Sequence, residues 1–332
     1  MFARLLFGFH RRHLVLVQKR IAMTLSHSQL KLDQVFNYLE QVLLGKQEKI
    51  KLAITCLLAN GHLLIEDLPG MGKTTLSHAL ADVFGLNYQR SQFTSDMLPA
   101  DVIGVSIFDQ SKQSFTFHQG PIFSQLLLAD EINRANPKTQ SALLEAMEER
   151  QVSVDGTTYP LPSPHFVIAT QNPTHQSGTY PLPESQLDRF LMCLEIGYPP
   201  AEAEYKLLKG ASSRETKIQQ PLLSIDDLLD LQKTVHNIHK SDEVIHYVMR
   251  LLAYSRSEGQ FPNALSPRAG VALMTAAQAF ALVSNRDFVT PEDVQAVFPY
   301  VAEHRLRAGR GTLLNSTFSQ KILETVAVHG DI

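Results

Sequence analysis

The chain has no tryptophan, only two cysteines and no apolar run long enough to cross a bilayer. Cys56 and Cys193 have no CxxC neighbour and no histidine in register, so they read as packing residues in a reduced compartment, not as a bridge or metal site. The 13 histidines form no ligand spacing with cysteines or acids, which argues against a directly bound transition metal. An excess of one charge is also missing: 30 basic and 33 acidic residues leave a formal net charge of −3, which attracts neither nucleic acid nor an anionic membrane. There is no internal repeat and no low-complexity stretch.

What remains is ordinary globular composition, 44% hydrophobic and 19% charged over 332 residues, enough for two domains without staples. Residues 1–20 differ, carrying seven Arg, Lys or His and no acid. Their longest apolar run, Leu14-Val15-Leu16-Val17, is too short for a signal sequence, so Met23 is the expected initiator and 1–22 an uncharacterised basic extension. The expected location is cytoplasmic, without membrane insertion.

Apolar residues recur at helical spacing over 30–44 and 47–60, each stretch closed by a glycine. Strand candidates follow at 62–66, 87–93, 126–130, 166–170 and 191–196, most separated by helical segments. This alternation predicts an α/β fold with a mostly parallel sheet covered on both faces. Alternating stretches at 105–117 and 151–162 read as hairpins, the second turning at Asp155-Gly156. Gly197-Tyr198-Pro199-Pro200 marks a linker, and helical periodicity follows it, with helix starts at Ser266-Pro267 and at Thr290-Pro291-Glu292-Asp293.

The chemistry begins at residues 67–75, Asp67-Leu68-Pro69-Gly70-Met71-Gly72-Lys73-Thr74-Thr75, directly after the first strand. A glycine-rich turn feeding a helix N-terminus presents backbone N–H groups to a polyphosphate, with Lys73 for the β/γ-phosphates and Thr74 for Mg²⁺. Asp67 stands where the usual phosphate-loop pattern has glycine. The strand at 126–130 ends in Asp130 and Glu131: Asp130 suits the same Mg²⁺ and Glu131 can polarise the attacking water. Alone, the two acids would read as a solvated strand end. Asn172, after the next strand, can orient that water, though before Pro173 it could equally be a turn residue. Arg189 has the fork of donors that suits charge developing on a γ-phosphate, its alternative being a surface pair with Asp188 or Glu184. Arg268 sits in the first turn of a helix, where the dipole opposes it, and a phosphate partner would account for that placement.

Together with Leu128-Ala129-Asp130-Glu131-Ile132-Asn133-Arg134-Ala135, the stretch Pro137 through Met147, Ala169-Thr170-Gln171-Asn172-Pro173 and Leu187-Asp188-Arg189-Phe190, this loop resembles the MoxR family of AAA+ ATPases across residues 30–330. The resemblance makes Asp67 a family mark. It implies a P-loop αβα core with a five-stranded mostly parallel sheet at 23–198 and a small all-α lid at 199–332. Residues Pro69 through Thr75 would cradle ATP, Thr74 and Asp130 would hold Mg²⁺, Glu131 and Asn172 would serve hydrolysis, Arg268 would be the lid's sensor arginine and Arg189 a finger acting on the neighbouring subunit. A finger of that kind implies a homo-oligomeric ring, expected to be a hexamer. Gly45-Lys46-Gln47 resembles the family's stretch near the adenine, with Lys46 an intruder.

The expected activity is Mg²⁺-dependent ATP hydrolysis driving chaperone-like remodelling, maturation or cofactor insertion of a partner, with a von Willebrand factor A domain protein as companion. A chelatase-type or enzyme-activase subunit would share the hydrolytic site. A DNA translocase is disfavoured because 151–165 contains no Lys or Arg and the earlier hairpin only Lys112. Glu131 argues against a scaffold that switches shape without turnover.

Overall fold

The computed structural model describes residues 30–111, 113–172, 178–209, 218–307 and 318–330; the basic extension 1–22, Lys112 and Pro173 lie outside them. A helix over residues 30–42 (α1) and a second, α2 (Gln47–Leu58), precede the sheet. Gly45 between them has φ +71°, and a Cβ there would meet Pro200 Cδ at 2.7 Å, so the position admits the linker only without a side chain.

The core then runs β1 (Leu63–Glu66), α3 (Lys73–Phe84), β2 (Tyr88–Gln92), α4 (Pro99–Ile103), β3 (Gly104–Asp109), β4 (Ser114–Gln119), β5 (Leu126–Asp130), α5 (Pro137–Glu149), β6 (Gln151–Val154), β7 (Thr157–Pro160), β8 (Phe166–Gln171), α6 (Glu184–Leu187) and β9 (Met192–Leu194). Five strands form one sheet in the order β2-β5-β8-β1-β9, and every pairing in it is parallel. Its central strands are continuous apolar runs because both faces are covered. Along β5, Leu126 and Leu128 join the helical layer of α1 to α3, whereas Leu127 and Ala129 pack with α5 on the opposite face. β1 lies between β8 and β9 while its sequence successor β2 lies at the far edge, so the chain reverses its direction of travel at β1. A crevice for ligands opens at such a switch point, at the carboxyl ends of the strands.

The strands keep to their expected places with shifted ends. His62 falls outside β1 because its buried ring accepts from Val167 N at 3.1 Å and contacts Met147 O at 3.4 Å. The expected strand at 191–196 shrinks to three residues: β9 is an edge strand, and the backbone of Ile196 and Gly197 turns to Asp67 instead of continuing a ladder. Both hairpins are present, β3 with β4 and β6 with β7, the latter turning at Asp155 (φ +50°) and Gly156 (φ +76°). Phe117 of the first stacks on Tyr159 of the second with ring centroids 4.3 Å apart.

Beyond the linker the described residues are helical: α7 (Ala201–Leu208), α8 (Ile225–Asn237), α9 (Asp242–Ser255), α10 (Pro267–Val283), α11 (Pro291–Leu306) and α12 (Phe318–Thr325). Ser224, Ser241 and Ser266 cap α8, α9 and α10 through their side chains, and Thr290 with Asp293 forms a capping box on α11. This helical group is fastened to α2: Gln232 Nε2 donates to Leu57 O at 2.8 Å, Tyr300 Oη donates to Glu48 at 2.7 Å, and Lys51 lies over the Phe280 ring.

Candidate functional site

The loop after β1 turns on two glycines with left-handed backbones, Gly70 at φ +85° and Gly72 at φ +92°, and Gly72 is the N-cap of α3. The left-handed backbone favours glycine at Gly72, and a Cβ there would also press on the end of the Leu43 side chain at 2.8 Å. α3 therefore starts without a side-chain cap, its first N–H groups left for an anion. Lys73 is 8% exposed; its ammonium donates to Asp67 O at 2.8 Å and to Asn172 Oδ1 at 3.3 Å. Burial pushes this ammonium below its ordinary pKa, against Asp130, Asp67 and Glu131, which pull it upward.

Asp67 has a structural role. Its buried carboxylate accepts from Ile196 N at 2.8 Å, Gly197 N at 2.7 Å and its neighbour Leu68 N at 2.7 Å, tying the start of the phosphate loop to the end of the sheet. Lys46 holds the same segment from the other side, donating to Ile196 O at 2.7 Å and Tyr198 O at 2.5 Å. The intruding lysine is thus a clamp on the linker's backbone.

Asp130 and Glu131 stand at the end of β5 beside β8. Thr170 Oγ1 donates to Asp130 Oδ1 at 2.6 Å and accepts from Glu131 N at 2.9 Å, fixing both residues from the neighbouring strand. Glu131 itself has φ +56°, a left-handed conformation costing roughly 1–3 kcal/mol for a residue with a side chain. That turn points its carboxylate at Asn172, whose Nδ2 donates to Oε1 at 3.1 Å. Asn172 is 4% exposed and its amide spans Lys73 and Glu131. Thr74 and Thr75 follow in the first turn of α3.

Three contacts at this site had not been anticipated. Arg90 on β2 donates to Asp130 Oδ2 from Nη2 at 2.7 Å and from Nε at 3.2 Å; it has no sequence neighbour in the site and left no signal. Arg134 pairs with Glu131 Oε2 at 2.9 Å, and its i,i+3 spacing from Glu131 could have been noticed. Gln171 donates from Nε2 to Glu66, a buried carboxyl whose pKa burial raises and Arg307 opposes.

Arg189 and Arg268 form a second group. The alternative reading of Arg189 is a surface pair with Asp188 or Glu184; the side chain pairs instead with Glu148 near the end of α5, Nη2 to Oε2 at 3.1 Å. Asp188 is taken by Arg305 of α11 at 2.6 Å. Arg268 donates to the other oxygen of Glu148, a carboxylate that offsets the cation at the helix start. The Glu148 carboxyl is held below its usual range by Arg268 first, with Arg189 adding to the effect. Among the described residues, neither arginine makes a polar contact with Lys73, Asp130 or Glu131.

Cys56 is buried and Cys193 partly so, and burial raises both thiol pKa values, leaving them unreactive. Among the described residues no group of three or more His, Cys, Asp or Glu could hold a metal ion, and no helix is long and apolar enough to cross a membrane.

Comparison with known proteins agrees with this fold. The model of the ATPase family associated with various cellular activities (AAA) matches residues 62–192, and that of the AAA lid domain matches 254–326. The protein YeaC of Bacillus subtilis is 45% identical over 83% of this chain and 86% of its own length. The chaperone MoxR1 of Mycobacterium tuberculosis is 38% identical over 90% of this chain and 82% of its own. A solved candidate ATPase of Cytophaga hutchinsonii superimposes with a TM-score of 0.84 and 34% identity, covering 93% of this chain and 98% of that one. With a phosphate loop, an acidic strand end and a helical lid in one αβα frame, the chain is an ATPase and belongs to the MoxR family of AAA+ proteins.

Proposed function

We propose that this ATPase hydrolyses ATP with Mg²⁺ between the subunits of a homo-oligomeric ring and uses the cycle for chaperone-like remodelling of a partner protein. The observation that carries the reading is Asn172, whose one amide bridges the phosphate-loop lysine and the acidic strand end. Lys73 and the N–H groups from Gly70 to Thr75 would bind the polyphosphate, with Pro69 shaping the turn before them, Asn172 would orient the attacking water, and Glu131 would accept its proton. The residues present fit the metal: Thr74 and Asp130 are hard oxygen donors, and the uncapped start of α3 gives the phosphates their place beside them. A bound Mg²⁺ supplies neutralisation of the charge on the β- and γ-phosphate oxygens.

The ring, expected to be a hexamer, is supported by Arg189 and Arg268, which among the described residues make no polar contact with their own Lys73, Asp130 or Glu131, pair instead with Glu148, and suit the nucleotide of a neighbour. The chaperone-like role rests on family membership, and a von Willebrand factor A domain companion in the cytoplasm is the partner we expect. The two hairpins, joined by Phe117 and Tyr159, are the elements that would move against the client, since β3 and β4 expose Ile107, Phe108 and Phe115. The test is a Glu131→Gln protein used as bait. It should retain ATP, remain assembled and co-purify with the client; rapid turnover by this variant would remove Glu131 from its role.

A further inference from the structure

Glu148 serves no part of the hydrolytic machinery described above, yet it joins three separate pieces of the chain. It lies in the last turn of α5 in the core, Arg189 follows α6, and Arg268 lies in the first turn of α10 in the helical group after the linker. Each oxygen of its carboxylate takes one guanidinium, Oε2 that of Arg189 and Oε1 that of Arg268. We infer that Glu148 is a positioning residue for hydrolysis, holding Arg189 and Arg268 side by side for the nucleotide of the adjoining subunit. This rests on the reading that the two arginines act between subunits.

Charge supports it. Three guanidiniums, Arg189, Arg268 and Arg305, face two carboxylates, Glu148 and Asp188. The surplus is one positive charge, so the cluster is ordered without being neutralised and still attracts an anion. Like charges would separate the two arginines if the carboxylate between them were lost. Hydrogen bonding supports it too: among the described residues Arg189 Nη1 is buried and has no partner, a donor withdrawn from water and left open. The backbone around Arg189 is fixed independently, because Arg305 donates to Asp188 O at 3.1 Å, Phe190 O at 2.8 Å and Leu191 O at 3.3 Å. With the main chain fixed, Glu148 decides where the two guanidiniums point. An arginine already in place loses less freedom when a phosphate arrives, and a displacement of about 1 Å can cost on the order of a hundredfold in rate.

A partly exposed ion pair contributes little to folding, so Glu148→Gln should fold normally. Its kcat should fall by roughly ten- to a hundredfold while KM for ATP stays put, because the nucleotide's own cradle is untouched. The decisive measurement mixes subunits. A Lys73→Ala subunit cannot bind ATP but carries an intact Glu148 cluster, so in excess it should restore hydrolysis to Glu148→Gln subunits, as it should to Arg189→Ala subunits. Rescue of both supports the inference. Rescue of Arg189→Ala alone, with Glu148→Gln either fully active unmixed or slow and not rescued, overturns it and leaves the intersubunit reading standing. Failure to rescue Arg189→Ala removes that reading, and the inference falls with it.

Discussion

The phosphate-loop site and the arginine cluster are built on different principles. The first gathers residues from the ends of adjacent parallel strands, where sheet order alone brings β1, β8 and β5 together and Thr170, Asn172, Lys73, Asp130 and Glu131 share a continuous set of hydrogen bonds. The second gathers three side chains from α5, the segment after α6 and α10, with one carboxylate as their common partner. One site is fixed by backbone, the other by charge. Damage to the first should therefore abolish binding or chemistry within a subunit, whereas damage to the second should slow a step that binding does not report.

The largest effect belongs to Lys73→Ala, which should eliminate ATP binding in an equilibrium titration and with it all hydrolysis; retained binding would mean that the loop's N–H groups suffice alone. Arg189→Ala should come next, with kcat lowered on the order of 10³-fold or more and KM unchanged. A raised KM instead would place Arg189 in its own subunit's binding site and erase the contrast between the two regions. Glu131→Gln should lower kcat by roughly 10²- to 10⁴-fold with ATP held rather than lost, which single-turnover kinetics would register as slow cleavage without slow binding.

The same contrast explains what the sequence made legible. The phosphate loop, Asp130, Glu131 and Asn172 are local strings at strand ends, and parallel pairing carries them into one crevice. The sheet, both hairpins and the helix starts were readable for the same reason, since periodicity and capping are properties of neighbours. Glu148 was not readable: it is one acid near the end of a helix containing several, and its partners stand 41 and 120 positions away. Arg90 is a similar case, a lone cation on an edge strand whose contact with Asp130 depends on the β2–β5 pairing. Arg268 belongs with them, because the carboxylate that offsets its charge at the helix start stands 120 positions away in sequence.

Asp67 sharpens the comparison on the backbone side. Its carboxylate replaces nothing that glycine would do at that position; it holds Ile196 and Gly197 against the phosphate loop by charge-assisted bonds. Asp67→Asn keeps the shape and one acceptor but loses the charge, so chemical unfolding should show a loss of about 1.5–3 kcal/mol. Nucleotide binding should weaken with it, since the loop and the linker share that anchor. A variant as stable as the parent would return Asp67 to the status of a mark without a mechanism.

The smallest expected effect separates the two ends of the sheet. His62 and His165 precede β1 and β8 at the end of the sheet opposite the phosphate loop, with rings 5.7 Å apart edge to face. Burial holds both neutral, pushing His62 down to about 3 and His165 to about 4. An unfolded histidine titrates near 6.5, so between about pH 6.5 and 4 the unfolded chain takes up protons that the native state refuses. Stability contributed by keeping these rings neutral is complete above 6.5 and declines as pH falls through that window, by up to about 1.4 kcal/mol per pH unit for each ring. The Glu148 carboxyl is also shifted downward, by the Arg268 hydrogen bond first and the Arg189 charge after it, but for an acid that favours the charged form, so the stability of its cluster is present above the ordinary carboxylate range and is lost only as pH falls below that range. His165→Phe should therefore flatten the decline in urea-unfolding free energy between pH 6.5 and 5 relative to the parent, while the kcat of the folded fraction follows the parent. A kcat that changed together with the stability would mean that the far end of the sheet and the arginine cluster are coupled, and the division between backbone-fixed and charge-fixed regions would have to be redrawn.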